Sequence, residues 1–190
     1  MAVNFYQLLS YRFLENSFGE YLLALAVFVL VIFVLRIFKN IVIKKLKHLA
    51  DHTRIEFINL LMEIVNSIGW PLYFLLALWI AFQFISIPEK LVKFFSYLLL
   101  IIVAYYIVVA LQRLIGFSVS KLKEAGKLDS SIANLLNQIG KWVLWLIVVL
   151  IVLQNLGFNI TTLIAALGIG GIAIAFALQS ILSLTFLPAF

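Results

Sequence analysis

Four side chains in the first third of the chain have metal-ligand types at helical spacing. His48, His52 and Glu56 recur every four residues with Asp51 alongside, so a helix would gather them on one face. The same stretch is dense in Lys and Arg, and a solvated cationic segment carrying two histidines explains them without a ligand; no metal site is expected. Gly168-x-Gly170-Gly171 is not a nucleotide fingerprint, because it lies inside an apolar run and follows no strand. The chain has no cysteine for thiolate chemistry or metal ligation, no Ser/His/Asp set, and no paired carboxylates or lysine within its apolar runs. Neither catalysis nor a cofactor is expected. The absence of acidic residues and of lysine inside the apolar runs also argues against a proton-coupled transporter. What remains is the chemistry of surfaces: clustered cations, and a Gly/Ala-rich apolar stretch near the carboxyl end.

The elements that carry these surfaces follow from composition. Of 190 residues, 65% are hydrophobic and 12% charged, with a mean hydropathy of +1.18. A soluble domain is nearer half apolar and a quarter charged, and at this length the surplus would leave large patches in water. Lipid is therefore the expected solvent. A helix needs about 20 apolar residues to cross the hydrocarbon layer, and five runs are read as spans against that length, the fourth being short: roughly 21–38, 69–87, 94–115, 142–156 and 159–182. Pro71 falls in the first turn of the second run, where a missing N–H costs least. Trp142, Trp145 and Lys141 flank the short fourth run as interface residues do. Backbone groups in lipid must be satisfied within the segment, so the runs are helices. The first is too long for a signal-peptide core, and its cations follow rather than precede it. The predicted fold is all-α: a polytopic membrane protein with five transmembrane helices.

Fourteen Lys and Arg against eight Asp and Glu give a net charge of +6. The cations cluster in two connections. One holds Arg36, Lys39, Lys44, Lys45, Lys47 and Arg54; the other holds Arg113, Lys121, Lys123, Lys127 and Lys141. The opposite side has only Arg12, Lys90 and Lys93. This asymmetry places both connections in the cytoplasm, the amino terminus outside and the carboxyl end inside. It also accounts for the basic charge with no nucleic-acid partner. Residues 1–19 mix Phe5, Leu8, Leu9, Phe13 and Phe18 with polar groups, as an interfacial amphipathic helix does. The two cationic connections resemble each other: each opens with Lys-Leu-Lys, carries Leu-Leu midway and reaches Ile-Gly shortly before an aromatic. Two copies of a helical hairpin are thus expected within residues 20–158, each joined by an amphipathic segment.

The fifth run sorts by size around its axis. At about 100° per residue, Leu163, Leu167, Ile174 and Leu178 form a bulky back. Ala166, Gly170, Ala173 and Ala177 fall on one flank, and Gly168, Gly171 and Ala175 on the other. Ala165, Ile169, Ile172, Phe176 and Gln179 share the narrow front. Small residues let helices approach closely in a membrane. Two small flanks suit a helix with a like neighbour on each side, and such heterologous contacts close into a ring. The front would then line a pore, with Ile172 and Phe176 as apolar rings that stop ions by dewetting and Gln179 restoring polar surface. Packing inside a single-chain bundle fits the geometry of the flanks equally well.

The string LIAALGIGGIAIAFALQSILS adds to this. Over residues 162–183 it resembles the pore-lining helix of the small-conductance mechanosensitive channel family. The shared features are the Ala/Gly spacing, two large apolar constriction residues and an Ala-Leu-Gln end. The resemblance implies that Ile172 and Phe176 are the constriction and that Gly168, Gly171, Ala173 and Ala175 pack helix against helix. It further implies a homo-oligomer, usually a heptamer, in the inner cell membrane, whose partners are the bilayer and the permeant ions and small solutes it releases on hypo-osmotic shock. Residues 159–183 would be the pore helix and 184–190 a short tail.

Two departures qualify the resemblance. Ser180 stands where the family often has a glycine, so a sharp kink is not implied there. After Ser183 the chain reads LTFLPAF, where the family continues into a soluble β-domain and a vestibule. Codon degeneracy lets these seven residues be encoded so that a shifted frame begins Asp-Phe and ends Ser-Phe, close to the family's continuation. A truncated or frame-shifted product is one expectation. A non-conducting subunit or scaffold that co-assembles with full-length channels is the alternative function.

Overall fold

The computed structural model describes residues 12–13, 16–52 and 56–186, with side chains for 16–50 and 56–180. Most of the expected amphipathic segment 1–19, the side chains of Asp51 and His52, and residues 187–190 lie outside the described residues. The chain forms two compact units, Met1–Val148 and Val149–Phe190.

The first unit opens with a two-residue antiparallel ladder. Strand β1 (Arg12–Phe13) faces β2 (Asn16–Ser17), with Arg12 opposite Ser17 and Phe13 opposite Asn16. Helix α1 (Phe18–His52) starts directly after a capping box. The Ser17 N–H donates to Glu20 Oε2 at 2.8 Å, and the Glu20 N–H donates to Ser17 Oγ at 3.3 Å, satisfying two otherwise orphaned donors. At 1.5 Å per residue, α1 is about 52 Å long, well beyond the roughly 30 Å of a hydrocarbon core. The apolar run 21–38 is therefore only its first part. The helix continues through the lysines because Lys and Leu are good helix formers whatever the solvent.

Helices α2 (Glu56–Ser67) and α3 (Trp70–Ala81) follow, with a 3₁₀ turn over Phe82–Phe84. The α2 limb and the limb spanning Trp70–Phe84 meet at a 59° bend. The run 69–87 is thus shorter as a helix than expected. Helix α3 stops at Ala81, and Ile85 is already extended at φ −130°, ψ 140°. The reason is a side chain from the other end of the unit. Asn16 Nδ2 donates to the Ser86 carbonyl at 2.8 Å, and the Ser86 N–H donates to Asn16 Oδ1 at 2.7 Å. Pro88 follows, and the residue before a proline is held extended.

Helix α4 (Glu89–Glu124) and helix α5 (Ser130–Asn155) complete the unit, whose boundary falls within α5. Both extend beyond the expected runs, so much of the second cationic connection is helical. Between them, Gly126 takes φ +68°. The Lys127 N–H reaches the Leu122 carbonyl and the Gly126 N–H the Lys123 carbonyl, each at 3.0 Å, a Schellman ending that requires the left-handed residue.

Aromatic and small residues hold these helices together. Phe28 of α1 meets Phe74 of α3 edge-on at 5.5 Å, Phe57 of α2 meets Phe117 of α4 at 6.3 Å, and Phe82 meets Phe95 at 4.9 Å. Trp79 Nε1 donates to Ser96 Oγ at 3.1 Å, tying α3 to α4. Ala24, Ala77 and Ala81 are buried, which allows close backbone approach.

In the second unit, α5 ends on another Schellman motif. Gly157 has φ +90°, with the Phe158 N–H on the Leu153 carbonyl and the Gly157 N–H on that of Gln154, each at 3.0 Å. The Asn159 side chain accepts the Thr161 N–H at 3.0 Å, and helix α6 (Thr161–Phe186) begins there. Among the described residues, α1, α4, α5 and α6 are each long and apolar enough to cross a membrane, and the bent α2/α3 pair makes a fifth candidate. The all-α polytopic class expected from the sequence is the class observed.

Candidate pore helix and the break in the second span

Helix α6 is continuous, so its helical period places the residues. Ala165, Ile169, Ile172, Phe176 and Gln179 run along one face at spacings of four, three, four and three. Gly and Ala occupy both sides of that face, and the bulky residues lie behind it. Ile172 is 59% exposed and Phe176 67%, while Leu167 on the back is 44% exposed. Among its described side chains, the helix has no buried side within its own unit. A Cβ built at Gly168, Gly170 or Gly171 would meet no atom of its unit within 4 Å. The helix passes Ser180 without a break, and Ser180 Oγ donates to the Ala177 carbonyl at 2.8 Å. The face is electrically neutral, and its character comes from size and apolarity.

The break between α2 and α3 is the opposite kind of place. It frees backbone groups, and three of them find a donor or acceptor on another helix. Lys39 Nζ, from α1, donates to the Ile68 carbonyl at 2.7 Å and to that of Asn66 at 3.4 Å. The same ammonium lies 5.7 Å from the centre of the Tyr73 ring. From α4, Tyr106 Oη accepts the Gly69 N–H at 3.0 Å. A Cβ at Gly69 would stand 2.6 Å from that oxygen, so any other residue there requires the Tyr106 side chain to shift. Nearby, Arg113 donates to the Glu63 carbonyl, and Lys121 pairs with Glu56 and, at 3.0 Å, with Glu124. Lys39, Arg113 and Lys121 were legible only as loop charges. The signal that could have marked Lys39 is its position directly after Phe38, at the edge of an apolar run, with Gly69-x-Pro71 further along the chain.

Fold and surface together define a polytopic α-helical membrane protein whose last span carries small residues on two sides of an apolar face. Residues 139–179 match the family model described as mechanosensitive ion channel, transmembrane helices 2/3. The chain is 27% identical over 170 residues to the small-conductance mechanosensitive channel MscMJ of Methanocaldococcus jannaschii, covering 86% of this chain and 49% of that protein. It is 39% identical over 72 residues to the large-conductance mechanosensitive channel MscMJLR of the same organism, covering 38% of this chain and 20% of that one. An uncharacterized MscS family protein of Helicobacter pylori is 34% identical over 61 residues, which are 32% of this chain and 10% of that protein. No solved structure matches the chain. The match thus spans about half of one curated channel and a fifth of another. Together these similarities support a membrane domain of the small-conductance mechanosensitive channel family.

Proposed function

We propose that this chain forms the membrane part of a tension-gated channel of the small-conductance type, which releases ions and small solutes on hypo-osmotic shock. The observation that carries this reading is the surface of α6. Its Gly/Ala flanks are unfilled within their own unit, border a narrow apolar face, and lie in the stretch the family model matches. In a homo-oligomeric ring, heptameric by family resemblance, Ala166, Gly170, Ala173 and Ala177 of one copy approach Gly168, Gly171 and Ala175 of the next. The front residues Ala165, Ile169, Ile172, Phe176 and Gln179 then face the axis. Rings of Ile172 and Phe176 exclude water, and therefore ions, without a charged gate. Membrane tension favours the arrangement with the larger in-plane area, a shift of population driven by the bilayer.

In this reading, residues 20–158 form the sensor bundle, 159–183 the pore helix and 184–190 a short tail, with 1–19 at the outer interface. The cation distribution supports an amino terminus outside and a carboxyl end in the cytoplasm. No catalytic step is proposed; the family's members are channels.

Patch-clamp recording of the purified, reconstituted chain tests the proposal. Openings that depend on suction are expected, and Ile172→Ser or Phe176→Ser should lower the threshold by hydrating the constriction. If no tension-gated current is seen, the reading of a non-conducting subunit takes its place. An unchanged threshold in both variants would remove the lining assignment.

A further inference from the structure

The second half of α1 presents a face that no contact described so far uses. Lys39 points toward Ile68, and the opposite side of the helix carries Phe33, Ile37 and Ile41, then Lys44, along one exposed stripe with Lys45 and Lys47 to either side. Phe33 is 65% exposed and Ile41 46%. Lys44, Lys45 and His48 line a shallow groove with Leu49. Lys93 and Lys121 are held by glutamates, whereas none of Lys44, Lys45 and Lys47 has a carboxylate partner among the described residues.

Because α1 is one unbroken rod, apolar stripe and cations are fixed in order. Lys44 lies about 9 Å beyond Phe38 along the axis, which is the depth of phospholipid headgroups when the apolar run fills the hydrocarbon layer. A general positive-inside bias would be met by lysines anywhere in a connection. Lysines that prolong the exposed side of a helix directly beyond its apolar stripe, with no carboxylate partner among the described residues, match a narrower partner. We propose that this face binds the headgroup phosphate of an acidic phospholipid, with the acyl chains lying along Phe33, Ile37 and Ile41. The ammonium groups supply the charge that separates an acidic headgroup from a zwitterionic one.

Bound lipid decides the matter independently of conduction. The full chain is extracted from bilayers of equimolar phosphatidylcholine and phosphatidylglycerol, and retained lipid is counted by native mass spectrometry. Preferential retention of phosphatidylglycerol is expected. Lys44→Gln/Lys45→Gln/Lys47→Gln should weaken it at least tenfold, since each lysine at an anionic surface contributes roughly fivefold, and the corresponding triple Arg variant should keep it. Lys44→Gln should matter and Lys90→Gln, far from this face, should not. The proposal is overturned by equal retention of phosphatidylcholine, by an unaffected Gln variant, by loss in the Arg variant, or by equal effects at Lys44 and Lys90. Displacement of the lipid by inorganic phosphate would reassign the site to a free anion and overturn it as well.

Discussion

Glycine stands at the break between α2 and α3 and three times in the first half of α6, for opposite reasons. At Gly69 the reason is inside the chain: Tyr106 Oη stands 2.6 Å from where a Cβ would be, and Lys39 and Tyr106 bond the Asn66 and Ile68 carbonyls and the Gly69 N–H. At Gly168, Gly170 and Gly171 nothing in their own unit approaches the missing side chain. A small residue in one place is complementary to a neighbour already present. In the other it keeps a surface free for something else to approach. The first unit therefore folds by internal pairing, and α6 carries a surface whose complement is not within its own unit.

Substitutions at the two kinds of glycine should separate these roles. The largest effect is expected from Gly171→Val: loss of the assembled species by light scattering or native mass spectrometry, with the unfolding midpoint of the chain itself unchanged. A fall in that midpoint would break the contrast. Gly69→Ala should do the reverse, costing about 1–3 kcal/mol of stability from overpacking, measured by denaturant titration in detergent. In a Tyr106→Phe background the obstructing oxygen is gone, so the cost of Gly69→Ala should shrink; strictly additive costs would show that the contact is not the cause. The smallest effect is expected from Lys39→Met, about 1–2 kcal/mol for the stranded carbonyl. It should be read as faster amide exchange confined to residues 66–70. Exchange that quickens throughout α1 instead would mean that Lys39 supports the whole helix.

How much of this was readable beforehand depends on the range of the interaction. Lipid demands length and apolarity from a contiguous run, so the spans were legible. Their ends were not, because Lys44 to Lys47 change the solvent preference of α1 without opposing its helix. The pair Ile-Gly occurs in both cationic connections, and hydropathy treats the copies alike. At Ile68-Gly69 the helix breaks, with Pro71 just beyond and partners arriving from α1 and α4. At Ile139-Gly140 it continues through α5, and a Cβ on Gly140 would lie 3.4 Å from Ile115. Pro71 marks the break locally, but the partners that satisfy it lie 29 and 37 positions away, and no local pattern encodes them. The clamp of Asn16 on Ser86 is longer in range still, at 70 positions. For α6, the helical period alone sorted front, flanks and back. What meets the flanks is decided by other surfaces, about which that period is silent.

The two polar ties on α1 have a mechanical consequence. Asn16, just ahead of the helix, holds Ser86 beyond the far end of the 3₁₀ turn, and Lys39 holds Ile68 at the near end of α3. Helix and limb are thus fastened like the two rails of a frame, and neither slides by a turn along the other without undoing both joints. The rise from Ser17 to Lys39 is about 33 Å, close to the thickness of a hydrocarbon core. A bilayer that thins under load meets a gauge of constant height, and it must lean the frame over or bend around it.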